Sequence, residues 1–395
     1  MRSIIYITNT QLPSQKANAY QSLCMCEAFA LKGVEVALWH PVRKGDYADS
    51  HGECSQDIVK TIYEPNNIAN VFQLKRLFSI DSLWLKHRSK KLWFYVQSFS
   101  FWFACIIALQ KENPQSAVFI RDTTALAAFS MVKKIGLLRQ KLIFEAHCYS
   151  KSIAKYIGTA DYRIVISHQL KKLYDLDDSK KILVAHDAVK GEVLLSDNQL
   201  SDSSNELALS LRTKKVERII LYVGNLFRWK GVYTLVNCMQ YLPEHYRIVI
   251  VGGSEDTLPE FRRYAAKIKG VEVIGFKPRN EIRSYLLTAD VLILPNSANY
   301  AISHVTSPLK LFEYMSARKP IVASRLPSIQ EILQDGKNAK LFTPDNAEDL
   351  AEKINWVLSN DCSDMVNQAW ENVREHTWDK RAEKIIAWTS GLRLL

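Results

Sequence analysis

SPLKLFEYMSARKPIVAS, residues 307–324, predicts a short helix that leads through Pro320 into a strand. Ser307 is a favourable N-cap residue, and Pro308 is well tolerated at the first helical position, where its missing N–H would have no intrahelical partner. The backbone N–H groups of the next residues are then free and point outward. A helix start of this kind binds anions, so the stretch predicts an anion site.

Two faces of this helix differ in chemistry. The predicted packed face is apolar and consists of Leu309, Phe312, Met315 and Ala317. Lys310 and Glu313 lie three residues apart on another face and, taken alone, indicate an exposed ion pair. The apolar run Val291–Leu294 predicts a buried strand before the helix. Ligands of open α/β sheets bind at the carboxyl ends of strands, so this context favours a ligand site.

Length and composition limit the classes of protein to consider. With 395 residues, 47% of them hydrophobic, the chain is long enough for two domains of ordinary size. The net charge of +11 predicts anionic partners, but charge alone does not choose between phospholipid, nucleotide sugar and nucleic acid. The seven cysteines are scattered without a CxxC pair, which argues against a disulfide framework or a zinc site. The start MRSIIYITNT predicts a strand rather than a signal peptide, so we expect a cytoplasmic protein.

Strands and helices alternate along both halves of the chain. In the first half, apolar runs predict strands at Ile4–Thr8, Val34–Trp39, Val118–Ile120, Leu142–Glu145, Arg163–Ile166 and Ile182–Val184. In the second half, they predict strands at Ile219–Val223, Arg247–Val251, Val271–Ile274, Val291–Leu294, Ile321–Ala323 and Ala339–Phe342. This alternation predicts parallel, doubly wound sheets, and the polar segment Ser196–Thr213 marks a domain boundary. The first β-α-β unit lacks GxGxxG, which weighs against a dinucleotide-dependent oxidoreductase.

Residues 74–109 combine basic and aromatic side chains. From Leu74 to Lys91, apolar residues alternate with Lys75, Arg76, Lys86, Arg88, Lys90 and Lys91. This pattern is typical of an interfacial membrane segment. The aromatic run Leu92–Leu109 is interrupted by Gln97, Ser98 and Ser100, and at about 18 residues it only reaches the lower limit for a membrane span. We predict a helix packed on the sheet of the first domain, with interfacial insertion as the alternative.

The second half carries a family resemblance. SPLKLFEYM followed by RKPIVAS, downstream of YVGNLFRWKG at residues 222–231, resembles the donor half of retaining GT-B glycosyltransferases of family four, the glycosyl transferases group 1. The resemblance implies an α/β fold of the GT-B class, with two Rossmann-like doubly wound domains facing a cleft. The implied parts are an acceptor-binding domain at 1–195, a linker at 196–216, a nucleotide-sugar-binding domain at 217–375, and a helix at 376–395 that crosses back to the first domain.

The resemblance also implies site residues. Lys230 corresponds to a lysine that contacts the donor diphosphate, and Glu313 to a glutamate that holds the nucleotide ribose hydroxyls. A lone histidine is more often structural. His147, however, follows the strand Leu142–Glu145 at the position where family members place a histidine facing the donor sugar, so we predict His147 and Lys230 as catalytic. The implied donor-binding residues are Asn225, Arg228, Lys230, Gly275, Phe276, Ser307, Pro308, Leu309, Lys310 and Glu313.

Some assignments stay open at this stage. Asn225 stands where relatives often have arginine, so the source of a second positive charge, Arg228 or another residue, is undecided. Gly252-Gly253 and Gly275-Phe276 follow strand ends, where the family wraps the base with loop backbone, but turn glycines explain them equally well. Relatives usually carry a second glutamate eight residues before Glu313, and here that position is Val305.

We therefore expect a retaining hexosyltransferase that moves a sugar from a UDP- or GDP-sugar to a lipid-linked or surface-polysaccharide acceptor. Two alternatives remain, a GT-B sugar-nucleotide epimerase and a catalytically silent GT-B subunit of a polysaccharide assembly complex. We expect no metal and no other cofactor, because the DxD triplet Asp175-Leu176-Asp177 follows a helix in a polar turn rather than a strand. We expect an anionic membrane surface as a partner, no nucleic acid, and a peripheral location on the cytoplasmic face of the membrane.

Overall fold

The computed structural model describes residues 2–14, 16–42, 68–175, 182–191, 194 and 218–391. The chain forms two compact units, the first built from residues 1–166, 170–186 and 378–395, and the second from residues 167–169 and 187–377. The predicted linker at 196–216 and Leu176-Asp177 of the DxD triplet lie outside the described residues.

The described part of the first unit contains one parallel sheet of seven strands in the order β3-β2-β1-β4-β5-β6-β7. The strands are β1 Ser3–Ile7, β2 Glu35–Pro41, β3 Gln73–Leu77, β4 Ala117–Ile120, β5 Lys141–Ala146, β6 Tyr162–Val165 and β7 Ile182–Val184. The helices are α1 Ala17–Leu31, α2 Leu83–Arg88, α3 Lys90–Leu109, α4 Thr123–Lys134, α5 Lys151–Ile157, α6 His168–Leu173, which starts with two residues of the second unit, and α14 Trp378–Thr389. Central strands such as β4 are buried along their whole length, as strands covered on both faces are.

The described part of the second unit contains one parallel sheet of six strands in the order β10-β9-β8-β11-β12-β13. The strands are β8 Arg218–Val223, β9 Tyr246–Val251, β10 Val271–Gly275, β11 Val291–Leu294, β12 Ile321–Ser324 and β13 Lys340–Phe342. The helices are α7 Val232–Cys238, α8 Leu258–Ala265, α9 Arg279–Thr288, α10 Leu309–Ser316, α11 Pro327–Gln330, α12 Ala347–Ser359 and α13 Ser363–Val373. Alternate residues of each strand enter the two cores on opposite faces of the sheet, Leu221 on one and Ile220 on the other.

These sheets confirm the prediction of two parallel, doubly wound α/β domains. The strand order of the second sheet reverses between β8 and β11, so their carboxyl ends diverge into loops on opposite faces. In open α/β sheets this switch point is where ligands bind. The start of α10 follows β11 in the chain and belongs to this end of the sheet.

The structure corrects the prediction for the start of the basic segment. Residues Gln73–Leu77 form a strand, β3, and not an interfacial helix. Among the described strands, β3 lies at the edge of the first sheet and pairs with β2. Lys75 contacts Glu112 at 2.7 Å and lies over the Trp39 ring, while Arg76 is buried. An edge strand with basic residues lacks the continuous apolar run by which central strands are recognised.

Helix α3 confirms the prediction of a helix packed on the first unit. Its 20 residues are long and apolar enough to cross a membrane by length and composition, and a third of the most apolar window is buried against the unit. Its polar interruptions face inward, because Gln97 Nε2 donates to Asn9 Oδ1 at 3.0 Å and Asn9 Nδ2 donates to Ser98 Oγ at 2.8 Å. Asn9 lies in the loop after β1, so α3 is fixed to the carboxyl end of the first sheet.

Two glycines let the loops of the second sheet approach each other closely. Gly231 has φ +69°, and a Cβ there would lie 1.7 Å from the Pro295 carbonyl oxygen after β11. Gly252 has φ +127°, and a Cβ there would lie 2.2 Å from the carbonyl oxygen of Gly224 after β8. Both positions require glycine for backbone conformation and for space.

This packing predicts that Gly231→Ala strongly destabilises the second unit. We expect a loss of about 3 kcal/mol or more in unfolding free energy, because a left-handed conformation and a backbone clash add up. Gly336→Ala is the matched control, since Gly336 has a similar φ of +72° and no atom within 4 Å of the added Cβ. It should cost about 1–2 kcal/mol. Urea unfolding, with hydrogen exchange of β8 and β11 peptides, measures both, and equal losses would contradict the clash.

Candidate functional site

The carboxyl end of the second sheet gathers most of the predicted donor-site residues. The loop after β8 carries Asn225, Arg228 and Lys230, and β10 ends at Gly275 with Phe276 beyond it. The start of α10 carries Pro308, Leu309 and Lys310, with Glu313 one turn later. These residues converge because parallel strands present their carboxyl ends at one edge of the sheet.

The start of α10 differs from the prediction. The helix begins at Leu309, and Pro308 precedes it in an extended conformation with φ −77° and ψ 127°. Ser307 does not cap the helix, because its Oγ accepts a hydrogen bond from the backbone N–H of Asp187 at 2.9 Å. The hydroxyl therefore fixes the residues before the helix to a distant segment of the same unit. The first N–H groups of α10 receive no side-chain cap.

Lys310 is buried, so it does not form the exposed ion pair that its spacing from Glu313, taken alone, indicates. The residue is only 8% exposed, and its Nζ lies 3.7 Å from the centroid of the Tyr222 ring. A Cβ on Gly224 would lie 2.5 Å from this Nζ, so the ammonium lies directly against the glycine after β8. Within the described residues the Nζ has no hydrogen-bond partner. The aromatic face supplies only part of what an ammonium loses on leaving water.

A second lysine shares this environment. Burial, reinforced by the nearby positive charge of Lys230, lowers the pKa of Lys310 well below its usual range, and Glu313 opposes this only in part. Burial lowers the pKa of Lys230 to about 7, against the attraction of Asp187. The Lys230 Nζ lies 3.7 Å from the centroid of the Trp229 ring. Two neighbouring, poorly solvated amines are suited to a multiply charged anion, which would stabilise both in their protonated forms.

Glu313 pairs with Arg279 and not with Lys310. Arg279 is the first residue of α9, and its Nη2 contacts Glu313 Oε1. Glu313 Oε2 has no hydrogen-bond partner within the part of the chain that the structure describes. The side chain is about one-fifth exposed, so a ligand can reach this second oxygen. Arg279 therefore holds a carboxylate whose remaining acceptor is available.

Three other predicted donor residues, Asn225, Arg228 and Phe276, are exposed, unlike the two lysines. The Arg228 side chain is 69% exposed and contacts Glu260 at 3.3 Å and the Tyr233 ring. Asn225 is exposed, and its backbone oxygen accepts from the Tyr222 hydroxyl at 2.6 Å. Phe276 is 45% exposed at the end of β10. The second buried positive charge is thus Lys310, and Arg228 does not supply it.

Sequence reasoning missed three residues at this edge of the sheet. Tyr222 supplies the ring under Lys310, and Arg279 supplies the partner of Glu313. Asn296 follows β11, is fully buried, and has no hydrogen-bond partner for its amide within the described residues. Its position two residues after a buried strand is the signal that would have identified it.

In the first unit, His147 directly follows β5 as predicted. Its Nε2 lies 2.5 Å from Oε1 of Glu145, the fully buried penultimate residue of that strand. Burial lowers the pKa of His147 to about 4, and Arg121 contributes in the same direction. The lowered pKa favours a neutral imidazole at physiological pH.

Parts of the sequence are similar to known glycosyltransferases. Residues 205–376 match the family model described as Glycosyl transferases group 1. The putative teichuronic acid biosynthesis glycosyltransferase TuaC of Bacillus subtilis is 26% identical over 213 residues, which cover 52% of this chain and 48% of TuaC. The putative colanic acid biosynthesis glycosyltransferase WcaL of Escherichia coli is 26% identical over 170 residues, which cover 41% of this chain and 42% of WcaL. The chain spans about half the length of these curated relatives.

A solved structure extends the likeness to the whole chain. HepE of Anabaena, in complex with UDP and glucose, matches with a TM-score of 0.73 at 15% identity, over 99% of this chain and 100% of HepE. At that identity the likeness shows the fold alone. Together with the two parallel sheets, it confirms the predicted GT-B fold class.

The environment of Lys310 predicts that Lys310→Met stabilises the ligand-free protein. We expect a gain of about 1–3 kcal/mol near pH 7, because methionine fills similar space without a buried cation. The gain should shrink toward pH 10. The unfolded chain keeps the lysine proton to about pH 10.4, whereas the folded chain releases it earlier, so rising pH removes the penalty from the wild type.

Urea midpoints at pH 7, 8 and 9 test this expectation. Lys337→Met is the control, because Lys337 is exposed and its loss should change stability little at any of these pH values. A Lys310→Met variant that is less stable than wild type, or a difference that is the same at pH 7 and 9, would contradict the assignment.

Proposed function

We propose that the protein is a retaining glycosyltransferase that moves a hexose from a UDP- or GDP-sugar to a lipid-linked or surface-polysaccharide acceptor. The observation that carries the proposal is the buried, unpartnered Lys310 ammonium beside Lys230 at the switch point of the second sheet. The family match at residues 205–376 supports the transferase class. The printed names of TuaC and WcaL support a polysaccharide acceptor.

The two lysines suit the leaving group of this reaction. Breaking the sugar–phosphate bond increases negative charge on the nucleoside diphosphate, and preorganised cations and N–H groups stabilise that charge. Lys230, Lys310 and the uncapped N–H groups at the start of α10 provide both. On this proposal, the positive charge that other enzymes obtain from a metal ion comes from side chains, and transfer is metal-independent.

The nucleoside and the sugar would contact other groups. We assign the ribose hydroxyls to Glu313, whose Oε2 can accept hydrogen bonds while Arg279 holds Oε1. The exposed Phe276 and the loop backbone at Gly275 are assigned to the base. His147 is assigned to the transferred sugar on the family resemblance, and its neutral imidazole would accept a hydrogen bond from a sugar hydroxyl.

The assignments predict that Lys230→Ala and Glu313→Ala each weaken nucleotide binding and turnover. The lysine variant loses phosphate charge and the glutamate variant loses ribose hydrogen bonds. Charge-assisted contacts are worth roughly 1.5–3 kcal/mol, so we expect losses of about 10- to 150-fold. Calorimetry with UDP and GDP, and release of nucleotide from their sugars, measure both effects.

Matched controls are Lys337→Ala and Glu260→Ala, which remove exposed charges from the same unit. Unchanged affinity and turnover in both site variants would remove the donor-site assignment. Sugar transfer that depends on an added acceptor supports the transferase. Acceptor-independent sugar interconversion would indicate an epimerase, and nucleotide binding without any turnover would indicate a silent subunit.

A surface of the first unit suits an anionic membrane, and we propose that the protein binds peripherally to the cytoplasmic face. The surface is exposed, apolar and flanked by the exposed cations Lys86, Arg88, Lys90 and Lys91. Its apolar members on or before α2 and α3 are Phe78, Ile80, Leu83, Trp84, Leu92, Phe94, Tyr95, Phe99, Phe103 and Ile107. Trp84 is 72% exposed and Phe103 is 65% exposed, so large rings face solvent. Apolar rings with flanking cations are typical of interfacial helices.

The apolar surface continues onto the neighbouring helix α4. Met131, Ile135 and Leu137 at its end are exposed, and Gln110 Nε2 after α3 donates to the Leu137 oxygen at 2.7 Å. Exposed apolar area of this extent on one side of a unit marks an interaction surface. The adjacent cations make an anionic bilayer the proposed partner.

The surface predicts binding to anionic liposomes that is weakened by salt. Replacing Lys86, Arg88, Lys90 and Lys91 with glutamine should reduce the partition coefficient roughly 10- to 1000-fold, at about 1 kcal/mol per cation near the membrane. Phe99→Ser with Phe103→Ser should remove the part of binding that persists at high salt. Co-sedimentation with vesicles containing phosphatidylserine, at low and high salt, measures both.

The control replaces four exposed cations of the second unit, Arg263, Lys267, Lys269 and Lys337, with glutamine. It changes net charge equally and should leave vesicle binding near wild type. All variants should bind nucleotide normally. If the wild type ignores these vesicles at low salt, the membrane proposal fails and a soluble acceptor is indicated.

A further inference from the structure

Glu145 is the centre of a buried group of charged side chains in the first unit. It lies in β5 without exposed surface, and both of its carboxylate oxygens have partners. Oε1 lies 2.5 Å from His147 Nε2, and Oε2 lies 2.7 Å from Nη2 of Arg381. One carboxylate therefore joins the imidazole to a guanidinium.

Arg381 is held in place by more than this contact. It belongs to α14, and its side chain is only 3% exposed. Its Nε donates to the His186 carbonyl at 2.8 Å, its Nη2 also donates to the Ala185 carbonyl at 3.2 Å, and its Nη1 lies 3.1 Å from Met25 Sδ. A planar guanidinium with this many fixed partners has one orientation, and it fixes the carboxylate in turn.

The charged groups around His147 shift its pKa in opposite directions. Burial, Arg121 and Arg381 lower the pKa of His147, and Glu145 raises it. Although burial alone would raise it, Arg381 and His147 hold the pKa of Glu145 well below its usual range. A buried carboxylate without Arg381 would draw a proton onto the imidazole to form an ion pair. With Arg381 present, the carboxylate has its counter-charge and the imidazole need not be charged.

We propose that Glu145 and Arg381 are positioning residues that hold His147 as a neutral imidazole protonated on Nε2, with Nδ1 directed to substrate as a hydrogen-bond acceptor. The carboxylate accepts the Nε2 proton, which fixes both the tautomer and the ring orientation. Within the described residues Nδ1 has no hydrogen-bond partner. An acceptor at Nδ1 selects a hydroxyl group of the sugar and not a carboxylate or phosphate. Only the identity of the group that Nδ1 binds rests on the proposed function.

The test is nuclear magnetic resonance of the full-length protein with ring-labelled histidine, with His147→Gln to assign the signal. We expect the wild-type ring to be neutral and Nε2-protonated from pH 8 to pH 5. Arg381→Gln should raise the pKa of His147 by about 1 unit or more, because the carboxylate loses its other counter-charge. Arg381→Lys should restore a value near wild type, and Glu145→Gln should leave a mixture of tautomers without raising the pKa.

Activity gives an independent readout. On the proposed function, Glu145→Gln and Arg381→Gln should reduce kcat roughly 10- to 1000-fold. UDP affinity should be unchanged, because the predicted nucleotide-binding residues belong to the second unit. Arg381→Gln should also move the acidic limb of the pH–rate profile to higher pH. Glu383→Gln on the same helix, which removes an exposed partner of Lys32, is the control and should change neither signal nor rate.

The outcomes separate this inference from the proposed function. A His147 that is protonated at pH 6 in the wild type, or one whose tautomer and pKa are unchanged in both Glu145→Gln and Arg381→Gln, overturns the positioning role. If Arg381→Gln fails to fold, the His147 ring signals of Arg381→Lys and Glu145→Gln test the positioning role instead. If these signals follow expectation but no UDP- or GDP-sugar is turned over, the positioning role stands and the proposed function fails.

Discussion

Backbone-to-backbone contact at the carboxyl end of the second sheet is the constraint on which the candidate site depends. The loop after β8 packs against the end of β11 at Gly231 and against the end of β9 at Gly224. The contact continues through the Trp229 carbonyl, which accepts from the Ser297 N–H at 3.0 Å. Because these loops are in close contact, Gly224 lies against the Lys310 ammonium and Lys230 stays beside it. The electrostatics of the site therefore follow from a steric condition that glycine alone meets.

The sequence was sufficient to predict those elements whose structure is decided by neighbouring residues or by burial on both faces. Strands covered on both faces are continuous apolar runs, so both parallel sheets could be predicted from the pattern, whereas the GT-B class came from the family resemblance. The edge strand β3 was missed because one neighbour and basic side chains give no such run. Ser307 was misassigned because its hydroxyl bonds to Asp187, 120 residues away in sequence. The burial of Lys310 was missed for the same reason, since the Tyr222 ring and Gly224, which are distant in sequence, lie against its ammonium group.

Val305 shows how this site departs from the pattern that the family resemblance implies. The residue is only 5% exposed, and its carbonyl accepts a hydrogen bond from Ser167 Oγ at 2.7 Å. Val305 is therefore packed within the second unit. Relatives usually carry a carboxylate at this position, and this chain carries an apolar side chain instead. On our proposal, recognition shifts from sugar hydroxyls toward the diphosphate, which every nucleoside diphosphate sugar shares.

Helix α3 has one further consequence, which follows from its two faces. Gln97 and Ser98 fix the inner face to Asn9 beside the first sheet, while Phe99 and Phe103 lie on the outer face. An α-helix with its side chains is about 10–12 Å across. If the outer face rests on lipid, the helix acts as a spacer that sets the height of Asn9 at about one helix diameter above the bilayer surface. An acceptor anchored in that bilayer would then need a headgroup long enough to span this height. The thickness of a single helix would therefore determine which lipid-linked acceptors reach the sheet edge.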